Sequence, residues 1–136
     1  MARIITTPVQ KRFSDVDIFR HVNNVAQQMY FDVGKTDYYH QVFGRDILYD
    51  NLRIVTVATS TSYMSQIRHD DDICVTTRTE RIGNKSMVLY QQILRREADG
   101  SQTLCSQSTS TMVAFDFEAQ QSVRIPDLWR EAIGGL

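Results

Sequence analysis

The sequence predicts an α+β domain in which an antiparallel sheet of five strands wraps around one long central helix. Three observations predict it. One segment repeats its apolar residues at helical spacing. Four later segments are rich in Val, Ile, Thr and Tyr. The connections between those four are short and carry turn residues.

Taken in order, residues 9–13 read as a short strand ending at the polar loop 14–20. Val25, Met29 and Val33 then recur every four residues, followed by Tyr38 and Val42, with Ala26 and Tyr30 beside the same stripe. Asn23 or Asn24 suits the N-cap, and Gly44 suits the stop. Gly34 inside this helix costs helical stability, so its use is close packing against a sheet. Residues 52–67, 73–82, 86–96 and 103–117 are the four long strands. Their turns are His69-Asp-Asp-Asp72, Gly83-Asn84 and Ala98-Asp-Gly-Ser101. Links this short imply an antiparallel meander. A last helical turn follows Pro126, through Leu128, Trp129 and Ile133.

Composition narrows the class. A chain of 136 residues with 42% hydrophobic and 23% charged residues reads as one domain, 1–136, able to bury a core without disulfides or a structural metal. The net charge of -1 offers no basic excess to displace counterions, which argues against nucleic acid as partner. Lysines are only Lys11, Lys35 and Lys85; the other basic residues are arginines, which suit phosphate contacts. Cys74 and Cys105 stand apart on strand-like segments and read as reduced, half-buried thiols. Neither a signal-peptide core nor a membrane-length apolar run is present, so the expected location is cytoplasmic, away from the membrane. A sheet of this kind exposes its edges, and pairing subunits edge to edge removes one of them. At least a dimer is expected.

The chemistry concentrates in the loop before the helix. Asp15, Asp17 and His21 fall within seven residues and are followed at once by Asn23 and Asn24. A helix N-terminus offers free N–H groups and a positive dipole end, which can hold a thioester carbonyl and the oxyanion that forms on attack. A carboxylate just upstream can act on water or on the carbonyl itself. Such a site needs no Ser or Cys nucleophile, no metal and no cofactor.

Phe13-Ser-Asp-Val-Asp17 with His21-Val-Asn-Asn24 resembles the signature of hotdog-fold acyl-CoA thioesterases of the 4-hydroxybenzoyl-CoA thioesterase type. Tyr30-Phe31-Asp32 resembles the family's aromatic-acidic helix stretch, Ile67-Arg-His-Asp-Asp-Asp72-Ile its turn between the second and third strands, Gly83-Asn-Lys-Ser86 its Gly-x-x-Ser hairpin, and Ile125-Pro126 its C-terminal Ile-Pro. The resemblance covers nearly the whole chain and implies a hotdog fold, with acyl-CoA, or acyl-carrier protein, as substrate. By position it implies Asp17 as catalytic carboxylate, base or nucleophile, and the backbone amide of Asn24 as oxyanion donor. It makes His21 and Asn23 supports lining the loop. It also implies a homodimer or homotetramer with active sites at the subunit interface, the partner contributing its strand around residues 60–64, with Ser62 and Tyr63 at substrate. Arg81, Lys85 and Ser86 at the hairpin are the candidates for the CoA phosphates.

Two departures bear on substrate choice. Gln27 stands where the family often has Tyr, implying a more polar acyl pocket. Gly34-Lys35 stands where many members have Ala-Arg, implying an emptier helix core.

Plainer readings stand beside these. Asp15 reads as structural, Asn23 and Asn24 as caps first, and His21 as a hydrogen-bonding loop residue. Asp70 to Asp72 read as a solvated turn rather than a calcium site, Arg95-Arg96 as a solvated strand end, and Tyr38, Tyr39 and His40 as core packing. An acyl-CoA hydratase or dehydratase, or a sensing module without turnover, would use the same fold.

Overall fold

The computed structural model describes residues 3–44 and 52–134. Strand β1 spans Ile4–Pro8, and a 3-10 turn follows at Phe13–Asp15. Helix α1 spans Asn24–Val42. Strands β2 (Leu52–Tyr63), β3 (Asp72–Ile82), β4 (Ser86–Arg96) and β5 (Gln102–Asp116) come next. A two-residue strand β6, Gln121–Ser122, and helix α2, Asp127–Ile133, complete the order. All strand pairs are antiparallel, in the order β1-β3-β4-β5-β2, with β6 on β5. This is the hotdog arrangement, a sheet curled around one helix. No helix among the described residues is long and apolar enough to cross a membrane.

Three expectations need correction. The first strand is not at residues 9–13. β1 lies upstream, where the β-branched run Ile4-Ile-Thr-Thr7 pairs with β3. Val9 N–H still donates to the Ile73 carbonyl at 3.3 Å, but at Arg12 the chain turns inward, its N–H donating to the Asp15 carboxylate at 2.9 Å. The second correction is to the meander, which holds only for β3-β4-β5. β2 lies beside β5 rather than β3, because β1 occupies that side of β3. The expected strand 52–67 accordingly ends at Tyr63, and the segment after it crosses the end of the sheet. That crossing carries residues 64–67 beneath the N-terminal end of α1, where Val22 N–H donates to Ile67 O at 2.7 Å.

The third correction concerns the face that α1 buries. Ala26, Tyr30, Tyr38 and Val42 are buried as expected, but Val25, Met29 and Val33 are exposed. Gln27, Phe31, Gly34 and Lys35 take their place, a roll of one residue, or about 100°. The cause is Gly34, whose backbone packs so close to the sheet that no side chain fits between them. A Cβ built there would lie 2.6 Å from Val75 Cγ1, 3.0 Å from Gln91 Nε2 and 3.1 Å from Thr77 Oγ1. The Gly34 site is therefore full, not empty. Lys35 beside it is buried, its ammonium 3.6 Å from Asp32. The displaced stripe borders an outer groove of about 610 Å³ between α1 and β1, with Met29 and Val33 on its wall beside Asp37 and His40. His40 is therefore surface, while Tyr38 is fully buried and its hydroxyl pairs with Thr79 Oγ1 at 2.6 Å.

The helix–sheet interface is unusual in its middle. One apolar cluster, built on Tyr38, Phe43, Leu89, Met112, Trp129 and Ile133, fills the end near α2. Another, built on Val22, Phe31, Ile67, Val75 and Ile93, fills the end near the α1 N-terminus. Polar side chains buried on the same sheet face separate them: Thr77, Thr79, Gln91, Ser106, Ser108 and Ser110. Gln91 Nε2 donates to the Phe31 carbonyl of α1 at 2.8 Å and to Thr77 Oγ1 at 3.0 Å. Gln91 Nε2 and the Thr79 hydroxyl find partners in this band, whereas Gln91 Oε1 and Ser106 Oγ are buried without one.

Gly34→Ala decides whether packing or propensity rules this crossing. Helix propensity alone would favour Ala by about 1 kcal/mol, whereas overpacking costs about 1–3 kcal/mol. Net destabilisation is expected in urea unfolding, with α1 pushed off Val75; a stabilised variant would show the crossing to be looser than the structure has it.

Candidate active site

Residues 15–24 fold into a tight hairpin that ends as a helix cap. Val16 and Val22 form a bridge that closes it. Inside the bridge Asp17 N–H donates to His21 O at 3.1 Å, and Arg20 N–H donates to Asp17 O at 3.0 Å. The turn requires a left-handed residue, supplied by Arg20 at φ 65°. Asp17 Oδ1 accepts the Phe19 N–H at 2.9 Å, so the carboxylate is held by its own turn. Asn23 is the N-cap of α1, its Oδ1 accepting the Ala26 N–H at 2.7 Å. Gln27 N–H enters the helical ladder at Asn23 O. The amides of Asn24 and Val25, ahead of them, are the first-turn N–H groups left at the positive end of the helix.

Asp15 anchors this hairpin from beneath. Its side chain is 2% exposed, and its Oδ2 accepts from the Tyr30 hydroxyl at 2.6 Å and from Arg12 N–H at 2.9 Å. Its Oδ1 meets the Arg12 guanidinium at 3.0 Å, while its carbonyl accepts Asn23 N–H at 3.0 Å. Burial by itself pushes the Asp15 carboxyl up, but the bonds from Tyr30 and Arg12 outweigh it and hold it below its ordinary value. Burial and the neighbouring Asp15 charge push the Tyr30 phenol well up.

Asp17, His21, Asn23, Asn24 and Gln27 line one side of a cleft of about 360 Å³; Tyr63, Met64, Ser65 and Gln66 line the other. Tyr63 and its neighbours are held by β5, with Met64 and Ser65 N–H groups both donating to Cys105 O, at 2.8 and 3.0 Å. Gln28 Nε2 ties the helix to this wall through Thr61 Oγ1 at 2.8 Å and Tyr63 Oη at 2.9 Å. Thus Asp17, His21, Asn23, Asn24 and Gln27, all singled out from the sequence, meet in one place, together with Tyr63 of the same chain, which the resemblance had placed in the partner.

Four others do not meet there within the one chain. Ser62 follows β2 on the face opposite Tyr63. Arg81, Lys85 and Ser86 sit at the far end of β3 and β4, roughly 30 Å away at about 3.4 Å per strand residue. Arg95 also departs from its solvated reading. It is half-buried and donates to Gln66 O and Glu97, both at 2.7 Å, with Asp71 3.8 Å away. The Glu97 bond foremost raises the Arg95 guanidinium's proton affinity. Asp71 turns its carboxylate to Arg68 N–H at 2.8 Å, and Asp72 lies 3.9 Å from Arg96, so the aspartate run spends itself on separate partners. Cys105 is fully buried and Cys74 half-buried; both are free, and burial pushes both thiols up. Gln28 and Gln66 carried no sequence signal, because their roles depend on β2 lying beside β5.

With this geometry the chain can be set among known proteins. It belongs to the Thioesterase-like superfamily, whose family model matches residues 11–133. It is 25% identical over 127 residues to the uncharacterized protein YsmA of Bacillus subtilis (strain 168), covering 92% of this chain and 82% of the relative. A predicted thioesterase from Bacillus stearothermophilus superposes with a TM-score of 0.84 at 28% identity, covering 96% of this chain and 94% of that one. A 4-hydroxybenzoyl-CoA thioesterase mutant complexed with 4-hydroxybenzoyl-CoA superposes with a TM-score of 0.87 at 18% identity, over 98% and 100% of the chains; that likeness is one of fold.

Asp15→Asn should destabilise the protein by about 1.5–3 kcal/mol at pH 7, the range for hydrogen bonds to a buried charge, with Tyr30→Phe milder. The pH dependence follows from the lowered carboxyl. Asp15's contribution is complete above its unfolded value, about pH 4, and is lost as pH falls through the folded one. Urea titrations between pH 7 and 3 check this: the wild type should lose stability on acidification that Asp15→Asn has already lost.

Proposed function

We propose that the protein hydrolyses acyl-CoA thioesters, with Asp17 as the catalytic carboxylate. The observation that carries this reading is the shared cleft, which is lined both by Asp17 and by Asn24, the first residue of α1. Membership of the Thioesterase-like superfamily supports it, as does a fold neighbour that holds an acyl-CoA.

In the water-activated form, Asp17 takes a proton from water as its oxygen bonds to the thioester carbon. The carbonyl oxygen becomes an oxyanion facing the Asn24 N–H, supported by the helix dipole. Collapse breaks the C–S bond, and the departing thiolate takes the proton from Asp17, leaving a free acid and CoA. In the direct form the same carboxylate attacks the carbon and expels the CoA thiolate, and water then opens the resulting mixed anhydride to the free acid and the restored carboxylate. His21 and Asn23 shape the loop in either route.

The site is proposed to be completed by a second copy. β2 is an edge strand, and residues 54–66 contain no charge and no proline. Val57 and Tyr63 on it and Met64 just after it are exposed, as are Ile18 and Phe19 on the catalytic hairpin. Edges left this unprotected invite pairing. Pairing through β2 would bring a second subunit to the Tyr63–Gln66 wall, and with it the hairpin basic groups Arg81 and Lys85 that one chain leaves far away. A carrier protein would present the same thioester as CoA does.

Asp17→Asn should lower thiol release from acyl-CoA by about 10²–10⁴-fold while leaving the melting curve and sedimentation unchanged. An unaltered rate in that variant would sink the assignment. Hydration of an enoyl-CoA without CoA release would indicate a hydratase, and tight binding with no turnover a sensor. Sedimentation equilibrium should show a dimer or tetramer; a fully active monomer would remove the second copy from the site.

A further inference from the structure

Gln27 lines the cleft and carries a buried acceptor that is unsatisfied. The residue is 5% exposed, yet it lines the cleft beside Asp17 and Asn24. Its Nε2 makes one long bond, 3.5 Å to Val22 O, and its Oε1 has no partner. A buried amide oxygen without a donor is costly in a free protein, and such exceptions call for a reason.

The surroundings extend the same chemistry. Next to Tyr63 and Gln28, β2 and β5 carry paired hydroxyls: Thr59 with Ser110 at 3.2 Å and Thr61 with Ser108 at 3.0 Å. Ser106, the register partner of Tyr63, is fully buried with its Oγ unpartnered. Gln28 joins this wall. An alkyl chain against Gln27 would leave its Oε1 unpaired, whereas a short acyl group carrying its own donor would satisfy it.

Resting on the thioesterase reading, we propose that the acyl subsite selects short acyl groups bearing a hydroxyl, and that Gln27 Oε1 is the acceptor that reads that hydroxyl. Gln27 is a specificity-determining residue in this assignment; Asp17 performs the chemistry on any acyl group that enters. An unsubstituted acyl chain leaves Oε1 buried and unpaired, so discrimination of about ten- to a hundred-fold is expected.

The test uses butyryl-CoA against 2-, 3- and 4-hydroxybutyryl-CoA. Wild-type kcat/KM should favour at least one hydroxylated substrate by that factor. Gln27→Leu should erase or reverse the preference while still hydrolysing butyryl-CoA, and Gln27→Glu, which keeps an acceptor, should preserve it. Because Gln27→Leu removes an orphaned polar atom, it should unfold at higher urea than wild type, which also confirms that the variant folds. Calorimetric binding of the same four compounds to Asp17→Asn gives a readout independent of turnover. If that variant prefers a hydroxylated compound and the Gln27→Leu, Asp17→Asn double variant does not, the subsite stands even where no thioester is cleaved and the hydrolytic reading fails. Equal treatment of all four compounds by wild type, or a preference untouched by Gln27→Leu, overturns the proposal.

Discussion

The buried carboxylate of Asp15 is the constraint on which the cleft depends. It gathers three pieces of chain that would otherwise be independent: the turn at Arg12, the helix at Tyr30 and, through its own carbonyl, the N-cap residue Asn23. A charge this deep is tolerated because a hydroxyl, a backbone N–H and a guanidinium all donate to it. Asp17, two residues on, inherits its position from that knot. The two aspartates therefore divide the labour: the enclosed one holds the frame, and the half-buried one faces the cleft.

A second constraint sets where the helix lies. Gly34 lets α1 settle on Val75 and Thr77, and Gln91 then reaches across to the Phe31 carbonyl. That contact fixes the roll of the helix, and the roll decides which side chains look into the cleft. With Gly34 facing inward, Gln27 is buried at the site and Val25, Met29 and Val33 are left outside. The polar band beneath Gly34 also divides the apolar core in two. One half supports α2 and the helix C-terminus, the other the hairpin that carries Asp17.

The crossing of residues 64–67 at the end of the sheet joins these constraints to the chemistry. It brings Met64 to Gln66 against the α1 N-terminus and leaves β2 as an open edge. Arg95 holds the crossing through Gln66 O while paired with Glu97 and Asp71, so the cleft's second wall is braced by ion pairs behind it.

Local rules account for what the sequence determined by itself. Element types, an asparagine N-cap at 23 or 24, the β3-β4 and β4-β5 hairpins, the fold class and the loop carrying Asp17 were legible, because caps, turns and strand composition act over a few neighbours. The roles of Gln27 and Asp15 were partly legible, one as a polar departure from a family pattern and the other as a structural acid. Only the tertiary structure decided the helix face, since two adjacent apolar stripes on α1 differ by one residue and a contact 41 residues away, at Val75, chooses between them. It alone placed β2 beside β5, because strand order depends on which edge β1 has already taken. It also assembled the cleft, whose two walls are some 40 residues apart in sequence and meet only once that order is set.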